Sequence, residues 1–199
     1  MALSKPAARK PLHTRSIVCD GYEREDGLWD VEARMEDIKH YAFGNKFRGT
    51  VEPGEPLHEM YIRLTLNDEL VVQDVEAHID NFPYETCPHI AIDYRKLIGV
   101  KIGIGWRRAI KQRLGGKLGC THLTELLPIL ATVSFQTIMP LISKRRKEKA
   151  KREEAEMPKP ETEQVEAKKS RPPMLDSCHS WSSDSPNVKK HEPDFYTGD

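Results

Sequence analysis

The chain has 199 residues, 38% of them apolar, and its 31 lysines and arginines balance its 31 aspartates and glutamates. That length allows one ordinary domain with appendages, the modest apolar share implies that part of the chain is not packed, and the charge balance gives no support to a nucleic-acid footprint. The basic stretch Met1 to Pro11 has no apolar segment behind it, and no uninterrupted apolar run reaches the ~18 residues that span a bilayer.

The expected compartment is therefore the cytoplasm, with neither a membrane nor a nucleic acid as partner. Thiols stay reduced there, so four scattered cysteines are candidates for metal ligands, reactive groups or packing rather than for disulfides.

Residues 1–12 are expected to be a flexible arm. From His13 to about His40 the sequence predicts two strands joined at Asp26-Gly27, a pair that favours the positive φ of a tight hairpin turn. The stretch from Ala42 to Pro56, punctuated by Gly44, Gly49, Pro53, Gly54 and Pro56, predicts a loop. A second hairpin follows: Met60, Ile62, Leu64 and Leu66 alternate with polar neighbours, and after Asn67-Asp68 the odd positions Val71, Val75, Ala77 and Ile79 repeat the pattern.

Beyond Cys87-Pro88 the period becomes helical, with Ile90, Tyr94, Leu97 and Ile98, then Trp106, Ala109, Ile110 and Leu114. The longest apolar stretch, Leu123 to Leu141, predicts a last helix. Thr121 could cap it, with Pro128 kinking it or delaying its start towards Thr124. Strands followed by helices give an α+β fold over residues 13–142, with an antiparallel sheet of two β-hairpins and helices packed on one face.

Residues 143–170, from Lys144-Arg145-Arg146-Lys147 through Glu153-Glu154, predict a charged helical extension turning into a linker beyond Pro158 and Pro160. Residues 171–199 recover Met174, Leu175, Trp181, Val188, Phe195 and Tyr196. They are expected to dock back on the domain, carrying Cys178 and His179 with them.

The strings Leu12-His13-Thr14-Arg15, Gly21 to Glu32 (GYEREDGLWDVE), Gly54-Glu55-Pro56-Leu57-His58-Glu59-Met60, Gly119-Cys120-Thr121-His122-Leu123 and Leu175-Asp176-Ser177-Cys178-His179 resemble an uncharacterised bacterial family, known as a domain of unknown function. A second resemblance covers about half the chain. The order of His58, a hairpin turning at Asn67-Asp68, Cys87 and Gly119-Cys120 is similar to the IscU/NifU type of iron-sulfur scaffold.

That likeness implies Cys87 and Cys120 as ligands, with His58 near the scaffold's ligand loop. The sequence departs from the scaffold in having Pro56 at or near the place of the loop cysteine, and in having a histidine, His122, after rather than before its last cysteine.

Two sulfurs and two imidazoles from His58, Cys87, Cys120 and either His122 or His179 would suit tetrahedral zinc or a histidine-containing iron-sulfur centre, with Cys178 and His179 closing over it. The first functional expectation is thus an accessory protein that holds zinc or an iron-sulfur cluster for a client metalloenzyme. The second is a thiol enzyme in which Cys120, set at a helix start, is the nucleophile and His122 or His179 its base. The third is an interaction module whose cysteines only pack. Cys19 and the remaining histidines are expected to be structural, and Gly103-Ile104-Gly105 lacks the third glycine of a dinucleotide loop.

Overall fold

The computed structural model describes residues 3–156, 171–172 and 174–199. The chain divides into two units, Met1–Ala155 and Glu156–Asp199. In the first, strands β1 (His13–Glu23), β2 (Trp29–Lys39), β5 (Pro56–Leu66) and β6 (Val72–Asn81) form one antiparallel sheet in the order β1-β2-β5-β6. Gly27, at φ +82°, makes the first hairpin turn as its sequence requires.

Alternation decides which face is covered. Trp29, Val31, Ala33 and Met35 of β2 and Met60, Ile62, Leu64 and Leu66 of β5 are all buried beneath the helices. On β6 the buried residues are Val72, Val75 and Ile79, with Leu70 in the turn before it, rather than the strict odd series. The pairing steps from Thr65↔Asp74 to Leu66↔Val72, and that irregularity lets Val72 and Val75 reach the same core.

The segment expected to be a loop contains a short hairpin of its own, β3 (Phe43–Asn45) and β4 (Gly49–Val51). Asn45 accepts the backbone N–H groups of Phe47 and Arg48, and Gly49 takes φ +80°. The same residue types that punctuate a loop therefore close a turn here.

After β6 the chain runs through a 3₁₀ helix at Cys87–Leu97, then α1 (Trp106–Leu114) and α2 (Thr121–Glu156). Helix α2 starts at Thr121, not later. Pro128 and Pro140 sit inside it, leaving the carbonyls of Thr124 and Gln136 without their usual intrahelical donors. Leu123, Leu126, Leu127, Leu130, Ser134, Ile138 and Ile142 form its buried stripe, at helical spacing.

The helix lies along β1. Glu125 meets Arg15, Thr137 faces Gly21 so closely that a side chain there would overlap it, and Arg145 pairs with Glu23. Twenty helical residues rise about 30 Å and eight strand residues about 27 Å, so the two elements keep step. An 18-residue window within Thr121–Glu153 has a mean hydropathy of 1.6, so α2 is long and apolar enough to cross a membrane by length and composition. Its leucine stripe is spent on the sheet, as in any core helix.

The second unit holds 3₁₀ turns at His179–Trp181 and Pro193–Phe195 and α3 (Pro186–His191), whose first turn is capped by Ser185 accepting from Val188 N at 3.3 Å. Val188 is its buried residue. Residues 158–170, where the linker is expected, lie outside the described residues.

Candidate metal centre

The apolar alternation on β2 and β5 does not end in apolar residues. One step past Met35 it puts Asp37 on the covered face, and one step before Met60 it puts His58 there. Asp37 is 2% and His58 9% exposed. A buried carboxylate must be compensated, and three groups do so through four contacts.

Arg15, opposite Asp37 on β1, donates through Nε to Oδ1 at 2.8 Å and through Nη2 to Oδ2 at 2.9 Å. His13 Nε2 lies 3.0 Å from Oδ1, and His58 Nδ1 lies 3.0 Å from Oδ2. Arg15 also donates through Nη1 to Glu125 of α2 at 2.7 Å, tying the sheet to the helix.

Helix α2 brings His122 in its first turn. Its Nε2 stands 3.8 Å from Asp37 Oδ2, its ring lies 3.9 Å from that of His58 between centroids, and its Nδ1 faces Cys120 Sγ at 3.9 Å. The helix start is held by Tyr94 of the 3₁₀ helix. The phenol donates to Cys120 O at 2.8 Å, accepts from Cys120 N at 3.1 Å and meets Thr124 Oγ1 at 2.8 Å, so it serves as the cap that Cys120 cannot provide. Cys120 Sγ packs 4.0 Å from Met60 Sδ.

The charges follow from this packing. Burial alone would raise the Asp37 carboxyl, but the hydrogen bonds and charge of Arg15, with His13 and His58, outweigh it and hold the group at about 2. Burial, then the neighbouring His122, push His58 down to about 4 against the pull of Asp37. His122 is lowered too, first by burial and then by Arg15. Burial lifts the Tyr94 hydroxyl to about 12. These shifts favour a carboxylate at Asp37 and neutral imidazoles at His58 and His122 near neutral pH, the protonation state in which imidazole binds metal.

Asp37, His58 and His122 each offer one ligand atom, all within 4.8 Å of one another. Tetrahedral zinc with bonds of about 2.0–2.1 Å sets its ligand atoms about 3.3 Å apart. The 3.0 Å and 3.8 Å separations from Asp37 Oδ2 bracket that value. With the third separation also within 4.8 Å, the trio could hold such an ion after a small closing movement. A cation on this trio would take the place of the proton that His58 Nδ1 gives to Asp37, while Arg15 could keep Oδ1.

The expected ligand set, His58, Cys87, Cys120, His122, Cys178 and His179, is thus distributed as follows. His58 and His122 meet in the cluster, and Cys120 stands beside His122. Cys87 opens the 3₁₀ helix, seven residues ahead of Tyr94, and is not part of the trio. Cys178 and His179 belong to the second unit, with Cys178 exposed. Cys19 packs at the edge of the core.

Asp37, Arg15, His13 and Tyr94 are the participants the sequence reading passed over. For Asp37 the signal is its place on the apolar side of an alternating strand. For His13 and Arg15 it is their spacing of two along β1.

Comparison with known proteins gives a family without an activity. A family model described as "Protein of unknown function (DUF2889)" matches residues 13–136, more than half of the chain, and the chain belongs to that family. The match takes in every residue of the cluster, from His13 to His122. No curated protein and no solved structure matches.

Proposed function

We propose that this member of the DUF2889 family binds a divalent transition-metal ion, with zinc the best match, through Asp37, His58 and His122. The observation that carries this reading is the convergence of three ligand atoms within 4.8 Å on the covered face of the sheet. Oxygen and nitrogen donors with two neutral imidazoles suit zinc, whereas iron-sulfur clusters are held mainly by thiolates. Three protein ligands also leave a coordination position for water or for a group delivered from outside. Supporting contacts come from Arg15 and His13 on Asp37, which fix the carboxylate's orientation, and from Tyr94, which fixes the turn carrying His122.

The test is a competitive zinc titration of chelator-treated protein. One ion should bind per chain, and His122→Ala should weaken binding by about 10- to 100-fold or more. Equal uptake by the wild type and by the His58→Ala/His122→Ala double variant, with fold confirmed by circular dichroism, would overturn the assignment.

A second reading has its own observation. Cys120 Sγ, the His122 ring and Asp37 Oδ2 stand in line, at 3.9 Å and 3.8 Å, in the order nucleophile, base and orienting carboxylate. Protein that takes up no zinc, yet whose Cys120 is alkylated by iodoacetamide at neutral pH much faster than free cysteine, would favour this thiol chemistry.

A further inference from the structure

The row of side chains that ends in Asp37 does not stop there. The β1–β2 register pairs His13 with Lys39 one step beyond the Arg15–Asp37 pair, so Lys39 stands on the same face, two residues from the carboxylate. Its ammonium is held between two rings, 5.4 Å from the centroid of Tyr41 and 5.7 Å from that of Phe43. Those rings pack edge to face at 6.3 Å, and Tyr41 is itself exposed.

Among the described residues the neighbours of this ammonium are rings, not a carboxylate. The backbone around it is fixed: Gly54 N donates to Lys39 O at 2.9 Å, closing the base of the β3–β4 segment over the end of β2. His13, opposite, keeps 44% of its side chain open to solvent while its Nε2 rests on Asp37.

The local charge points to a ligand class. Asp37 and Glu125 both face Arg15, so a divalent ion on Asp37, His58 and His122 would leave the site with an excess of positive charge even before Lys39 is counted. The open flank of that charge is the β1–β2 edge, where half-exposed His13 rests on Asp37 and pairs in register with Lys39. We infer that Lys39 and His13 form an oxyanion subsite beside the metal position, receiving the phosphate or carboxylate group of a small substrate.

This inference rests on the metal reading for its position in a reaction site. The subsite itself uses residues outside the ligand trio. The rings of Tyr41 and Phe43 contact the ammonium without neutralising it, which is the state a lysine needs to pair with an incoming anion.

The experiment is a calorimetric titration of the full chain with inorganic phosphate and, separately, with acetate, each with and without one equivalent of zinc. Lys39→Gln should weaken binding of the preferred oxyanion roughly tenfold, as expected for loss of a charge-assisted contact, and Lys39→Arg should retain it. Zinc stoichiometry should be the same in all three proteins. Which of the two anions binds identifies the group recognised.

Zinc uptake with phosphate and acetate affinities unchanged by Lys39→Gln would overturn the subsite and leave the metal reading standing. Lys39-dependent anion binding in a protein that takes up no zinc would uphold the subsite and sink the metal reading. Binding of neither anion to the wild type would also overturn the subsite.

Discussion

The two faces of the sheet carry the same kinds of ion pair in opposite settings. On the open face Arg34 meets Glu59 at 2.6 Å and Arg63 bridges Glu32 and Glu76 at 2.6 Å and 2.9 Å. On the covered face Arg15 meets Asp37 at 2.8 Å. Distance does not distinguish them. What differs is water: Arg63 is 44% and Glu76 72% exposed at their side chains and Asp37 4%, so the Arg63 pairs are screened while Asp37 is bound to its neighbours on every lone pair. Surface pairs of this sort set register and solubility. A carboxylate buried at this cost, with two imidazoles turned towards it, is a group that could hold an ion.

The strongest way to break the contrast is to remove the buried partner. Asp37→Ala leaves Arg15 with Glu125 alone and strips His13 and His58 of their acceptor, and should destabilise the protein by about 3 kcal/mol, the low end of the range for a broken buried pair because the guanidinium keeps one carboxylate. Urea denaturation of chelator-treated protein measures it. A loss below about 1 kcal/mol would mean that the covered face is as forgiving as the open one.

A pH series sharpens the same contrast. His58 sits at about 4 in the folded protein, below its ordinary 6.5, so between those values the unfolded chain binds a proton that the native state refuses. Its contribution to stability is present above about pH 6.5 and lost as pH falls to about 4, on the order of 3 kcal/mol. Asp37, held at about 2 against an ordinary 3.8, adds a second loss below that range, as pH falls through about 4 to 2. In metal-free protein His58→Gln should make the fall between pH 6.5 and 4 shallower, with the lowered His122 keeping part of it, and leave the lower limb in place. An unchanged upper limb would place the titrating group elsewhere.

Much of this was legible in the chain. The hairpin turn at Asp26-Gly27, the alternation of β2 and β5 and the order of strands before helices follow from local periodicity, and they define a sheet with one covered face. Periodicity also leads to Asp37 and His58 as polar residues on apolar sides, which is a statement about burial.

The company they keep is not local. Arg15 reaches Asp37 from another strand and His122 arrives with a helix whose start depends on Tyr94, a residue that in sequence looks only like part of an apolar period. The register of β6 was hidden for a related reason, because a pairing irregularity at Thr65–Leu66 breaks strict alternation without leaving a glycine or proline to announce it. Cys87 enters through the scaffold resemblance and Cys178 and His179 through a motif and an expected docking, and none of these specifies a distance.

The smallest expected effect belongs to the open face and completes the comparison. Arg63→Met removes two ion pairs at once but leaves Glu32 and Glu76 in water, where each recovers its hydration. The change in stability should stay within about 1 kcal/mol, and it should shrink further in 1 M salt, where the Debye length falls to about 3 Å. The methylene stem of methionine preserves the packing of the arginine stem over the sheet, so the measurement isolates charge. A cost near that of Asp37→Ala would show that exposure is not what separates the two faces. A negligible cost locates the chain's expensive electrostatics at the end of the sheet where Asp37, His58 and His122 meet.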